Sequence, residues 1–190
     1  MAMWVSFQVG IATQTRHDLE RFAALQVGAA SPAAPDQSLW SPVRISAWLK
    51  VSSEPAPAPL AVLRIPAIGL EVPVLPGTDD RTLDHAVGHI EDTASPGTVG
   101  NSGIAGHRDG FFRGLKDIAL GDVIELETLD GKEAYRVERT WVVDPEEVSV
   151  LDPTPTQALT LVTCYPFYFV GSAPRRFIVR AVRVSDQLLP

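Results

Sequence analysis

Three residue types in this chain of 190 residues suit acyl transfer: one thiol, four imidazoles and a cluster of guanidinium groups. Cys164 is the single cysteine, so an internal disulfide framework and any Cys-rich zinc or iron–sulfur site are excluded. Two roles remain open to it. It can be a small buried hydrophobe, as most free cysteines are. It can instead be a nucleophile, which needs a thiolate, a proton donor for the leaving amine and a stabilised tetrahedral intermediate. His107 and Arg176 offer the second and third of these. Arginine stays protonated and presents a planar fork of donors suited to a carbonyl becoming an oxyanion. Each also has a plain structural reading: His107 as a hydrogen-bonded structural imidazole, and Arg176 as one solvated strand arginine beside Arg175, Arg180 and Arg183.

The other histidines are less informative. His17 falls on an N-terminal amphipathic stretch as a solvated helix residue. His85 and His89 are four apart on a predicted helix, a spacing that can ligate a metal, but no third ligand follows by spacing and no metal site is assigned.

The elements around these residues decide where they sit. Cys164 ends an apolar run, Leu159, Leu161 and Val162, and precedes Tyr165-Pro166. A strand end opening into a loop gives a rigid support and an access route. Glycines 103 and 106 before His107 imply close backbone packing or a bulge beside the imidazole, and Asp109-Gly110 makes a turn after it. Short strands are predicted over Leu60–Ile65, Leu70–Leu75 (an edge or bulge, given Pro73), Asn101–His107, Val123–Thr128, Glu133–Val143, Leu159–Cys164 and Phe177–Val184. Asp130-Gly131 signals a hairpin, Thr82–Ile90 a short helix and Phe111–Ile118 a helical turn. About eight short strands without βαβ alternation fit a mainly β fold, a closed or nearly closed barrel with helices confined to connections.

The first 59 residues read as an appendage. A helix is expected over His17–Val27, an Ala/Ser/Pro linker from Gly28 to Pro35, and a second helix from about Ser38 to Val51. Pro55, Pro57 and Pro59 favour an extended linker, which sets the boundary between an arm, 1–59, and a catalytic barrel domain, 60–190.

Composition narrows the function classes. With 45% hydrophobic and 21% charged residues the chain is globular rather than disordered. Its 16 Lys and Arg against 23 Asp and Glu leave a net charge of −7, which argues against sequence-independent nucleic-acid binding. The charge is uneven: residues 117–147 hold ten acids and three bases, whereas 164–190 hold four arginines and one acid. The thiol therefore lies in the most cationic segment, and nearby cations favour a thiolate. No window has 18 consecutive apolar residues, and Met1–Ala12 lacks a basic n-region. Pro153–Pro174 has 22 residues without a charge, but Pro155, Pro166 and Pro174 break a spanning helix, so a buried strand and loop are expected there.

Two runs together resemble the sortases, the cysteine transpeptidases of bacterial surfaces, most closely class D. One is Thr160-Leu161-Val162-Thr163-Cys164-Tyr165-Pro166 with Arg176-Phe177-Ile178-Val179 after it; the other is Gly106-His107-Arg108 after Asn101-Ser102-Gly103-Ile104-Ala105. With the opening Leu63-Arg64-Ile65-Pro66, the resemblance runs from about Leu60 to Val184. It implies an eight-stranded sortase-like β-barrel. It implies Cys164 as nucleophile, His107 as general acid and later base, and Arg176 holding the scissile carbonyl and the oxyanion. Arg176 is preferred to Arg175 because it directly precedes Phe177-Ile178-Val179. Thr163 is implied to lie beside the bound sorting signal.

The implied reaction cuts a Leu-Pro-x-Thr-Gly-like signal on surface proteins after Thr, through a thioester. The acyl group passes to an amine such as a peptidoglycan cross-bridge or a pilin lysine, or to water. No cofactor is implied; calcium activates some members, but the acids at 117–147 match no site and read as a solvated face. The implied location is extracytoplasmic, at a bacterial cell surface or in the periplasm. Sortases are usually held at the membrane by an N-terminal helix; none is visible in this sequence, so the first 59 residues read as a truncated or remodelled stalk. Two other readings stay open. One is a cysteine endopeptidase, although the Gln-Ala-Cys-x-Gly and Cys-Gly-Ser-Cys-Trp signatures are absent. The other is a non-catalytic β-barrel binding module with a structural thiol.

Overall fold

Strand β1 (Ala61–Ile65) buries Ala61, Leu63 and Ile65 and leaves Val62 and Arg64 partly exposed, the period of two that places one strand face on a core. Pro66 ends it by starting a 3-10 turn, Pro66–Ile68, which closes on Gly69 at φ +63°. The chain returns as β2 (Leu70–Pro76), with Leu63 opposite Val72. Pro73 opposes Val62 of β1 but lies just outside the Val74–Pro76 stretch that pairs with β3 (Val87–His89), so its missing N–H falls at a local edge, as expected. These relations come from a computed structural model, which describes residues 35–54, 56–168 and 172–184. The helix expected over His17–Val27 lies outside the described residues.

The helix read over Thr82–Ile90 is shorter. Helix α2 (Asp80–His85) begins at the Asp79 cap, whose carboxylate accepts from the Thr82 N–H at 3.1 Å. It stops at Ala86, where the backbone is extended. Ala86 and Val87 are fully buried, and Val87 pairs with Val74, so core packing converts the rest of the run into β3. A Cβ on Gly88 would lie 2.1 Å from the Gly77 carbonyl oxygen, which fixes glycine there. His85 and His89 are thus not on one helix face. His89 Nε2 lies 3.0 Å from the Ala94 carbonyl and 3.1 Å from the Thr93 hydroxyl.

The remaining strands are β4 (Asn101–Gly106), β5 (Val123–Glu127), β6 (Lys132–Val143), β7 (Ala158–Tyr165) and β8 (Arg175–Arg183). β5 buries Ile124 and Leu126 between half-exposed glutamates. It turns into β6 through a hairpin in which the Thr128 N–H donates to Gly131 O at 2.8 Å, at the Asp130-Gly131 position read from sequence. The eight strands close into a barrel in the order β1-β2-β3-β4-β7-β8-β6-β5. Leu63, Ile104, Ile124, Leu126, Leu159 and Leu161 fill it, with Phe112 and Leu115 supplied by the 3-10 segment Phe111–Asp117. This is the mainly β barrel expected.

Helix α1 (Pro42–Val51) starts where Ser41 caps it, the Ser41 hydroxyl accepting from the Arg44 N–H at 3.2 Å, with proline next, where no backbone donor is lost. The sequence assigned this helix to an arm. In the fold, the described residues from Asp36 onward, this helix included, belong to one compact unit, and Trp40 and Trp48 pack against the core. The Trp40 ring meets Phe111 edge-on at 4.7 Å. No helix of the described residues is long and apolar enough to cross a membrane.

Candidate active site

The parity of each strand sets which side chains meet. On β7, Leu159 and Leu161 point into the barrel, so Cys164 points out. On β8, Val179 and Ala181 point in, so Arg176 points out. Cys164 and Arg176 are direct partners in the β7–β8 ladder, with Cα atoms about 5 Å apart. On the other side of β7 runs β4, parallel, with Gly106 beside Thr163. His107 is the next residue, on the outer face. Three adjacent strands therefore carry the cysteine, the histidine and the arginine to one end of one face.

The supports are specific. Thr163 is 2% exposed, and its hydroxyl donates to the Gly106 carbonyl at 2.7 Å. Its side chain faces the barrel interior, opposite to Cys164. The Thr163 hydroxyl ties the end of β4 to β7 one residue before His107. The backbone after His107 is also locked: its carbonyl accepts from the N–H groups of Gly110 at 3.1 Å and Phe112 at 3.2 Å. Arg176 is half-buried and donates to the carbonyls of Ala173 at 3.4 Å and Arg175 at 3.1 Å. Arg175 is exposed and lies 3.6 Å from Asp144, turned away from the cysteine. Of the two, Arg176 is the one that shares a face with the thiol.

Cys164 is neither fully buried nor fully exposed. The turn after it is pinned from below. Arg108 donates to Pro166 O at 3.1 Å, Arg113 donates to Phe167 O, and the Arg113 guanidinium lies 4.2 Å from the centre of the Tyr168 ring. Tyr165, Phe167 and Phe177 form an aromatic cluster beneath. Farther along the same outer face, a cleft of about 460 Å³ opens between β6, β8 and the β6–β7 connection, lined by Arg139, Trp141, Val143 and Arg180.

The surroundings of His107 contain residues that the sequence reading did not assign to the site. Arg44 of α1 donates to Asp84 of α2 and approaches Asp109 at 3.4 Å. The Ser41 hydroxyl donates to Asp109 at 2.7 Å. His107 Nε2 lies 3.6 Å from the Asp84 oxygen that Arg44 holds, and it is buried without a hydrogen-bond partner. Burial, with Arg44 next in weight, holds His107 below the ordinary imidazole pKa against the pull of Asp109, Asp84 and Asp80. Burial works to raise the Asp109 carboxyl, but the Ser41 hydroxyl and Arg44 outweigh it and leave it low. A neutral imidazole is therefore the major form near pH 7 and the imidazolium the minor one. The available sequence signal was Ser41-Pro42, a helix start, which says nothing of where the helix docks.

Among the described residues, no three His, Cys, Asp or Glu side chains gather at metal-binding spacing. The chemistry this site can perform is that of a thiol, an imidazole and a guanidinium on one rigid surface.

Comparison with known proteins agrees with that chemistry. A family model described as the sortase domain matches residues 63–184. Sortase D of Bacillus subtilis is 37% identical over 125 residues, which cover 65% of this chain and 63% of that protein, so the chain spans less than two thirds of this relative's length. A Clostridium perfringens Sortase D5 transpeptidase superposes with a TM-score of 0.62 at 27% identity, covering 74% of this chain and 88% of that one. A lid mutant of sortase A from Corynebacterium diphtheriae superposes with a TM-score of 0.63 at 28% identity, covering 93% of this chain and 100% of that one. With the closed barrel and the grouped cysteine, histidine and arginine, the match over 63–184 shows that this chain belongs to the sortase family of cysteine transpeptidases and is class D-like.

Proposed function

We propose that this chain cleaves a Leu-Pro-x-Thr-Gly-like sorting signal after Thr and transfers the new acyl group to an amine. The observation that carries the reading is the pairing of Cys164 with Arg176 across β7 and β8, with His107 at the end of the adjoining β4. The Cys164 thiolate attacks the Thr carbonyl, and Arg176 donates to the oxygen as negative charge develops on it. Protonated His107 gives its proton to the departing glycine amine, which leaves a thioester. An incoming amine then attacks the thioester, neutral His107 takes its proton, and the Cys164 thiolate departs. Water in place of the amine gives hydrolysis.

The partners in this reading are surface proteins that bear the signal and an amine acceptor, a cross-bridge peptide or a pilin lysine. Kinship with the family supports an extracytoplasmic location, at a bacterial cell surface or in the periplasm. Thr163 serves by holding β4 against β7.

The test is a fluorogenic Leu-Pro-x-Thr-Gly peptide panel, with and without an amine acceptor. Wild type should cleave and, with acceptor, form the amide product. Cys164→Ala, His107→Ala and Arg176→Ala should each lose activity, and iodoacetamide should alkylate Cys164 in the native protein and abolish turnover. Full activity in Cys164→Ala, or no cleavage of any peptide by wild type, sinks the proposal.

A further inference from the structure

We propose that Arg44 and Asp84 are positioning residues for His107, which makes the segment around α1 a working part of the site. The inference rests on the reading of His107 as the proton-transfer group.

The geometry is a three-element clasp. Arg44 comes from α1, Asp84 from α2, and Asp109 from the turn that follows β4. One Asp84 oxygen receives the Arg44 guanidinium and faces His107 Nε2 at 3.6 Å. That gap is about half an ångström beyond hydrogen-bond range, and such contacts tighten when substrate closes a site. Nε2 is buried and has no hydrogen-bond partner, so the Asp84 oxygen is the acceptor within reach of it. Once Nε2–H is held there, the neutral ring keeps its proton on Nε2. Nδ1 is then the nitrogen that receives and returns the transferred proton. Arg44 sets how much of the Asp84 charge the imidazole feels. Ser41 fixes Arg44 in turn, since its hydroxyl caps α1 and donates to Asp109, and its N–H donates to Asp109 O at 3.1 Å. The stem of Arg44 also fills the space over Gly110, where a Cβ would lie 3.0 Å from Arg44 Cγ.

The charged and titratable groups facing His107 are Arg44 from α1, Asp80 and Asp84 from α2 and Asp109 from its own turn. Cys164 and Arg176 lie on the same barrel face, on β7 and β8 beside β4. Arg44 and Asp84 act on the imidazolium with opposite signs, so their removal has opposite effects. A merely structural role would not produce that split.

The experiment is a ring-proton NMR titration of the full chain, with His107→Gln identifying the His107 resonance. Asp84→Asn should lower the His107 midpoint. Arg44→Gln should raise it, and Arg44→Lys, which keeps the charge, should return it toward wild type. In peptide cleavage, Asp84→Asn should cut kcat about tenfold with little change in KM, and the acid limb of the rate profile should follow the NMR midpoint. Shifts of the same sign in Asp84→Asn and Arg44→Gln, or no shift in folded protein, overturn the proposal. If Arg44→Gln fails to fold, Asp84→Asn alone decides: a midpoint that stays or rises overturns it. The NMR arm needs no turnover. Opposite shifts in a protein inactive on peptide refute the transpeptidase reading and keep the clasp; an active protein with unmoved midpoints refutes the clasp alone.

Discussion

Gly106→Ala should damage both stability and the site, through a contact whose size can be worked out. A Cβ at 106 would lie 2.7 Å from Phe112 Cδ2 and 2.8 Å from Cγ. Relaxed carbon contacts sit at about 3.5–4.0 Å, so the overlap is roughly 1 Å. The Phe112 ring is fully buried and its backbone N–H is tied to the His107 carbonyl, so it cannot swing aside without moving the site. Overpacking of this kind costs about 1–3 kcal/mol. In a domain of this size each kcal/mol lowers Tm by roughly 2–4 °C. Phe112→Leu removes the clashing ring and by itself costs on the order of 1–2 kcal/mol. The double variant should be more stable than the sum of the two costs by about 1 kcal/mol or more. Urea unfolding followed by tryptophan fluorescence measures all three, and peptide cleavage reports whether His107 has shifted. Strictly additive costs, or a Gly106→Ala protein as stable as wild type, would refute the claim that this contact fixes glycine at 106.

Three further outcomes follow from the same strands. Thr163→Val should cost about 1–2 kcal/mol in unfolding free energy and reduce kcat more than it changes KM, and Thr163→Ser should restore most of both; a pure KM effect would mean that the hydroxyl touches substrate. His107 has a lowered folded pKa, so the unfolded chain binds more protons, and stability should fall as pH drops below the unfolded value near 6.5. Thermal melts across that range should show a smaller pH dependence in His107→Gln than in wild type, the residue of it owing something to His85, which burial also lowers. Arg176→Lys should lose on the order of 100-fold in kcat/KM, whereas Arg175→Ala should change it little, because only Arg176 opposes Cys164; equal losses would reverse the assignment.

The barrel was legible where periodicity and punctuation agreed. β5 alternates Ile124 and Leu126 with glutamates and leads into the Asp130-Gly131 turn; β1 alternates and is stopped by Pro66. β3 was missed because three residues cannot establish a period, and its identity comes from partners on β2 and β4 that are distant in sequence. Cys164, His107 and Arg176 were legible from residue type and local setting. The clasp around His107 was not: Arg44 and Asp109 are 65 residues apart, and nothing local to Arg44 says that its helix brings it to Asp84 and Asp109. Nor does local sequence reveal that Thr163 points inward, since that depends on the parity fixed by Leu159 and Leu161 in the core.

A sheet that closes on itself has no free edge, and this has a consequence for how a peptide is held. Many peptide-binding domains recruit an extended ligand as an extra strand and gain affinity from main-chain hydrogen bonds that ignore side-chain identity. With β1 paired to both β2 and β5 the ring is complete, and the stretches left without a second neighbour, such as that around Pro73 on β2, are short templates at most. On the proposed function, a peptide that reaches Cys164 meets outward-pointing side chains of β7 and β8, and its recognition would come from the shape and chemistry of its own residues. In that reading, closure of the barrel would trade generic backbone affinity for discrimination by sequence.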